Sequence, residues 1–375
     1  MNSATKPLGF LSLSAPSRVP DVPLASNSSR WIDRRSFLGA LSATCLAMIS
    51  GPTAASPNDY RQSISIILDI FERYFFDPTW MTSQQAHSLF SELMELAETS
   101  QDPERLCLDF EQTFKRIGLS HVTLSVRQRS AAALGRHFDS MQVGPEAVAL
   151  EWDHQVACLS VRTFMGQDTG LRITAAFEDI ASRGAKGLII DLRDNPGGAF
   201  AMRHLVGHSI SDGADAGVLL GRGWSRDSVL MPKRTQIEAL EPWHGASVVS
   251  LWNHLATHAV TRVHFLPMQP MFHGPIAILI NGQTQSASEL VAEVLRSVRG
   301  AVLIGDTSAG ALLIQQPFDV GDQFTLSLPV ADYISHGSGR IEGVGLVPDI
   351  NASDQDAISV ASSSLPEMRN IEGKL

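Results

Sequence analysis

The chain has 375 residues, 44% of them hydrophobic and 18% charged, with a net charge of −10. Those values fit a globular protein of one large or two smaller domains. An acidic balance argues against nucleic acid or an anionic membrane as the main partner.

The first 55 residues read as a targeting segment. Asp33-Arg34-Arg35-Ser36-Phe37-Leu38 is a twin-arginine pattern, an apolar stretch follows to about Ile49, and Thr53-Ala54-Ala55 offers small residues for cleavage. The apolar run is too short for a stable membrane span. The expectation is export, to a bacterial periplasm by the twin-arginine route in preference to a plastid lumen. Removing residues 1–55 takes away five basic and two acidic residues and moves the net charge from −10 to −13.

Residues 56–126 read as a small helical domain ending in a strand. Ile64, Ile67, Ile70 and Phe71 form an apolar face that ends at Asp77-Pro78. Ala86–Glu98 is a second helix. Asp102-Pro103-Glu104 opens a third, with proline in its first turn, and Val122–Val126 is a strand. From about Ala147 the pattern turns α/β: a strand at Val156–Val161, a helix over Leu171–Ser182, and a strand running into Asp191. Residues 209–272 read as strands and loops around a cleft. The chain after Asn351 reads as a polar, loose tail.

Two segments carry chemistry. Gly187–Asp191 is a buried strand running into Leu192-Arg193-Asp194-Asn195-Pro196-Gly197-Gly198, a rigid glycine-rich turn. Ile276–Ile280 is an apolar strand, and the helix after it carries Leu290, Val291, Val294, Leu295 and Val298 on one face. Ala301–Ile304 closes a β-α-β unit. Ser286 sits where the strand gives way to the helix, a place whose unpaired N–H groups and dipole favour an oxyanion. From this segment alone, Ser286 and Ser288 serve equally well as helix caps.

Together with Gly305-Asp-Thr-Ser-Ala-Gly310 and Ile341-Glu342-Gly343-Val344-Gly345-Leu-Val-Pro348-Asp349, these motifs resemble the S41 serine peptidases, over roughly Ser63–Ile350. The resemblance implies an α/β fold with a β-α-β core of the S41 (crotonase/ClpP-like) type over residues 127–350, preceded by the helical domain. It also implies a serine peptidase acting on peptides or unfolded protein through an acyl-enzyme, without a cofactor.

The processing-protease branch of that family places a basic lysine after the second glycine of its Gly-x-x-x-x-Gly-Lys segment, where this chain has Ala311. That branch usually carries a PDZ domain as well, and the roughly 20 residues between Val126 and Ala147 are too few for one. The tricorn branch uses a histidine ahead of the core, and Leu119-Ser120-His121-Val122-Thr123 resembles its Ser-His pair. The resemblance thus implies Ser286 as nucleophile, His121 as base, and Ser120 and Glu342 orienting the imidazole. Oxyanion donors come from the backbone of Ala287 and of Gly197 or Gly198. His336 is the reserve base, and Asp191, Arg193 and Asp194 hold the turn. Two other functions fit the same core: a ligand-binding protein without peptidase activity, and a hydrolase of small esters. No Cys-x-x-Cys or His-Glu-x-x-His occurs, so the usual zinc signatures are missing. An oxidising compartment would allow a bridge between Cys107 and Cys158, but the sequence does not show that they meet.

Overall fold

The computed structural model describes residues 57–224 and 232–372. The targeting segment falls outside them. The described part of the chain belongs to one compact unit, Thr53–Leu375.

The described residues open with four helices: α1 (Pro57–Tyr74), α2 (Pro78–Met81), α3 (Gln84–Thr99) and α4 (Pro103–Arg116). Their starts follow from their caps. Asp77 accepts hydrogen bonds from the Thr79 and Trp80 N–H groups, Ser83 from Ala86, and Asp102 from Glu104, each meeting part of the demand left by unpaired first-turn donors. Tyr60, Ile64, Ile67 and Phe71 recur at helical spacing and are buried with Phe110 and Phe114. This cluster continues into Val320, Phe324, Leu326 and Leu328 of two later strands. The helices are therefore not closed on themselves, and β1 (Thr123–Val126) pairs antiparallel with Phe324–Ser327. Helix α5 (Ala131–Ser140) and a single 3₁₀ turn follow β1.

Strands β2 (Val148–Asp153), β3 (Val156–Val161), β4 (Gly187–Asp191), β7 (Ile276–Ile280), β8 (Val302–Gly305) and β12 (Ile350–Asn351) form the first sheet, in the order β12-β8-β7-β4-β3-β2. All its pairings are parallel except β2 with β3. Every residue of β4 and β7 is buried, as expected for central parallel strands covered on both faces. Helix α6 (Gln167–Ser182) crosses from β3 to β4 and starts four residues before the expected Leu171. Helix α10 (Ala287–Arg299) crosses from β7 to β8.

The opposite face is closed by α11 (Ala357–Glu372), which corrects the expected loose tail. Ala357, Ala361 and Leu365 lie one turn apart and pack on Ile189, Ala277, Leu279 and Ile304. Leu365 is 2% exposed. Leu365→Ala is expected to cost about 2–4 kcal/mol in a urea unfolding titration; a loss within error would mean that α11 does not stay docked in solution.

The second sheet contains β5 (Ala214–Gly221), β6 (Val260–Phe265), β9 (Leu313–Val320) and β10 (Phe324–Ser335), together with β1 and the short β11 (Gly339–Arg340). The twelve-residue β10 organises it, pairing with β1 through its first residues, with β5 through its last, and with β9 along most of its length. Between β4 and β7 the chain also forms the short helices α7 (Met202–Gly207), α8 (Arg234–Glu238) and α9 (Val248–Leu255). Residues 209–272 thus hold two paired strands, β5 and β6, and β5 lies deep in the sheet. Cys107, on α4, and Cys158, on β3, are free thiols.

Candidate active site

Ser286 immediately precedes α10, with φ 55° and ψ −121°. A positive φ on a non-glycine residue costs on the order of 1–3 kcal/mol and persists only where neighbours enforce it. The neighbours here are specific. The Ser286 N–H donates to the Ala311 carbonyl at 2.9 Å and to Glu289 Oε2 at 3.0 Å. Its predecessor Gln285 donates to the Asn195 carbonyl at 3.0 Å. Thr284 Oγ1 donates to the Leu192 carbonyl at 2.9 Å, so the loop is tied to the end of β4.

Glu289 stands on the first turn of α10. It is fully buried and accepts four hydrogen bonds. Ser308 Oγ (2.5 Å) and the Gly310 N–H (2.8 Å) reach Oε1, while the N–H groups of Ala311 (3.0 Å) and Ser286 reach Oε2. Burial pushes its pKa up against the pull of those donors. One carboxylate thus fixes both the Ser286 backbone and the 308–311 loop.

The turn after β4 is built as expected. Arg193 forks onto Asp191 at 2.9 and 2.8 Å, and the Asp194 N–H donates to Asn281 Oδ1 at 3.1 Å. Asn195, fully buried, was missed by the sequence reading. Its amide donates to the Val161 carbonyl at 2.8 Å and its Oδ1 accepts the Gly197 N–H at 2.8 Å. Gly197 therefore has its donor engaged, and its place among the oxyanion candidates falls away. A β-carbon on Gly197 would lie 2.7 Å from that of Ser286, so the turn touches Ser286 directly. Gly198 has φ 146°, and a β-carbon there would lie 2.3 Å from the Phe164 carbonyl carbon, so only glycine fits. Among the described residues, the N–H groups of Gly198 and Ala287 have no hydrogen-bond acceptor.

His121 has φ 62°, and its Nδ1 lies 2.6 Å from Ser120 Oγ. The Ser120 hydroxyl also neighbours the Glu342 carboxylate and favours its charged form. A carboxylate only accepts, so with its proton turned toward Glu342 Ser120 accepts from His121 Nδ1–H, leaving the Nε2 lone pair available. Burial pushes the His121 pKa down to about 4 and that of Glu342 up. Glu342 Oε2 also accepts the Leu312 N–H at 2.6 Å.

The expected residues thus fall into two groups, Ser286 with Gly197, Gly198 and Ala287, and Ser120 with His121 and Glu342. Ala311 and Leu312 join them, because the Ala311 carbonyl receives Ser286 while the next N–H reaches Glu342. Among the described residues no hydrogen bond connects His121 to Ser286. His336 is exposed, and its backbone bonds to Ala216 at the far end of β10, so it joins neither group.

The model of Peptidase family S41 matches residues 155–352, just over half of the chain. The chain belongs to peptidase family S41. Among curated S41-like relatives, it is 26% identical over 194 residues to the carboxyl-terminal-processing protease of Synechocystis, covering 52% of this chain and 37% of that one. It is 24% identical over 242 residues to carboxy-terminal processing protease CtpA of Bacillus subtilis, covering 64% and 42%. The chain thus spans about two fifths of the length of these S41 relatives. Two solved structures share the fold. A lipoprotein from Streptococcus agalactiae has a TM-score of 0.55 at 15% identity, covering 86% of this chain and 100% of that one. Mature CPAF complexed with lactacystin has a TM-score of 0.52 at 13% identity, covering 85% and 98%.

Proposed function

We propose that this S41 protein is an exported serine endopeptidase that cleaves peptides or unfolded protein through an acyl-enzyme on Ser286. The observation that carries this reading is the Ser120–His121 hydrogen bond beside Glu342, an arrangement that leaves the His121 Nε2 lone pair available. Through the adjoining backbone of Ala311 and Leu312 it is tied to a strained serine beside two unspent N–H groups.

The chemistry follows from those groups. His121 Nε2 removes the Ser286 proton as Oγ attacks the scissile carbonyl carbon. The oxygen that becomes negative is held by the Gly198 and Ala287 N–H groups, with the α10 N-terminus adding to the field. Protonated His121 then gives its proton to the leaving amine, and a water, deprotonated in the same way, releases the acyl group. Glu342 acts through Ser120, holding the ring in one tautomer and balancing the charge that forms on it. Catalytic hydrogen bonds often tighten only when substrate is bound, so the His121–Ser286 bond belongs to the substrate complex. Ala311 contributes only backbone groups, and Ala311→Lys should not raise activity.

The twin-arginine pattern supports export. The curated relatives include bacterial and chloroplast processing proteases, in keeping with a periplasmic or lumenal place of action. No described helix is long and apolar enough to cross a membrane.

The test is digestion of unfolded casein and of a mixed peptide library by the full chain, read by mass spectrometry. Cleavage that disappears in His121→Ala supports the reading, and cleavage unaffected by that change overturns the assignment of the base. Turnover of small esters without any peptide cleavage would point to the esterase alternative, and ligand capture without turnover to a binding protein.

The pH dependence has a definite sign. His121 must be neutral to act as base, and burial holds its pKa near 4. kcat/KM is therefore expected to stay level from neutral pH down to about 5 and to fall only near pH 4, provided circular dichroism shows the fold intact. An acid limb near the ordinary imidazole value of about 6.5 would mean that the working base is not this half-buried ring. The same depression makes the unfolded chain the better proton binder between about 6.5 and 4. The stability contributed by neutral His121 is thus lost as pH falls through that window.

A further inference from the structure

Resting on the peptidase reading, we propose that Arg203 selects substrates carrying a carboxylate within a residue or two of the scissile bond. The chain runs from Gly198, an oxyanion donor, through Phe200 to Arg203 at the start of α7. On its inner side α7 buries Leu205 and Val206 in the core cluster that also contains Leu290 and Val291 of the nucleophile helix. Arg203 is therefore anchored to the same two elements that hold the reacting atoms.

Its guanidinium lies 5.2 Å from the Phe200 ring centre and 5.1 Å from that of Trp243. It donates to the His244 carbonyl at 2.9 Å and to the Trp243 carbonyl at 3.4 Å. A guanidinium has five N–H groups, so most of this fork is still unspent. Several half-buried arginines in the protein meet a carboxylate, Arg193 on Asp191, Arg262 on Asp215 and Arg296 on Glu293, while Arg222 and Arg299, like Arg203, bond to backbone carbonyls but do not sit between two aromatic rings. Among the described residues Arg203 has no such partner, and it sits in surroundings that disfavour its charge. Two aromatic faces and two carbonyls hold the cation in place without neutralising it. That is the arrangement of a receptor for an incoming anion, since planar forks match carboxylates and flanking rings limit the competition from water.

A substrate carboxylate can come from an Asp or Glu side chain or from a free C-terminus. The experiment separates the two. Peptides are made with Glu or Gln at each of the two positions on either side of one scissile bond, and with either a free or an amidated C-terminus. kcat/KM is measured with the full-length wild type, Arg203→Lys and Arg203→Met. The expected result is a Glu-over-Gln, or acid-over-amide, preference of about tenfold or more in the wild type. It should weaken in Arg203→Lys and disappear in Arg203→Met, while neutral peptides are still cleaved by all three. Equal cleavage of acidic and neutral peptides by the wild type would overturn the proposal and leave the peptidase reading standing. So would a preference that survives in Arg203→Met. If no peptide is cleaved, fluorescence anisotropy of the same labelled peptides on Ser286→Ala gives the answer. Tenfold tighter binding of the carboxylate form that is lost on adding Arg203→Met supports the subsite, and equal affinity refutes it.

Discussion

Ser286→Ala is expected to lower kcat on a cleaved peptide by at least about 10³-fold, with KM changed little. The variant keeps the elements that bind substrate and oxyanion, because the Gly198 and Ala287 donors are backbone groups and Glu289 holds the Ser286 N–H rather than its hydroxyl. What it loses is the only atom in the proposed mechanism that bonds covalently to the acyl group. A residual rate above water is expected from the remaining donors, since oxyanion stabilisation survives loss of a nucleophile. The melting temperature should move by no more than a few degrees: alanine inherits the same positive φ, and no core volume is removed. Ser288→Ala is the matching control. Its buried hydroxyl donates to the Asn195 carbonyl at 3.3 Å, so the change should cost about 1 kcal/mol of stability and spare most of the turnover. The reverse pattern, with Ser286→Ala active and Ser288→Ala dead, would transfer the nucleophile's role by two residues and break the proposed geometry.

Local signals in the sequence located the parts of the site that depend on neighbouring residues. The apolar run Ile276–Ile280, the turn after it and the helical stripe from Leu290 place Ser286 at a strand-to-helix junction. The Asn195-Pro196-Gly197-Gly198 run marks a tight approach of backbone. Parts that depend on distant pairings were not legible in this way. His121 and Glu342 lie more than 200 residues apart and were drawn together only by family resemblance; in the structure both neighbour Ser120. Which glycine has a free N–H turns on the side chain of Asn195, which no spacing rule predicts. The helix Ala357–Glu372 carries an apolar stripe, Ala357, Ala361 and Leu365, but two of its members are alanines and serines surround them, so the stripe read as polar. In β5 the glycines at 217 and 221 interrupt the apolar pattern. Gly217 is needed there because a β-carbon would lie 2.1 Å from the Ile334 carbonyl oxygen of β10.

Glu289→Ala is expected to destabilise the protein by about 3–5 kcal/mol, measured as a lower urea midpoint at unchanged m-value. The magnitude comes from the partners left behind. Ser308 Oγ and the N–H groups of Gly310 and Ala311 lose their acceptor, while the Ser286 N–H keeps only the Ala311 carbonyl, and each buried donor costs about 1–3 kcal/mol when orphaned. Relaxation of the 308–311 loop recovers part of the sum. Glu289→Gln should lie between this and wild type, since one oxygen still accepts while the amide hydrogens face other donors. Activity should fall further than stability predicts, because the same carboxylate sets two positions on which the proposed chemistry depends. It holds Ser286 in its strained φ, and through Ala311 it positions the residue preceding the Leu312 N–H that reaches Glu342. The discriminating readout is therefore turnover at a temperature where the variant is still fully folded. A stable, folded Glu289→Gln with wild-type kcat would show that the loop positions itself without this carboxylate. A folded variant with kcat reduced by tenfold or more would show that Glu289, without touching substrate, couples the nucleophile to its base.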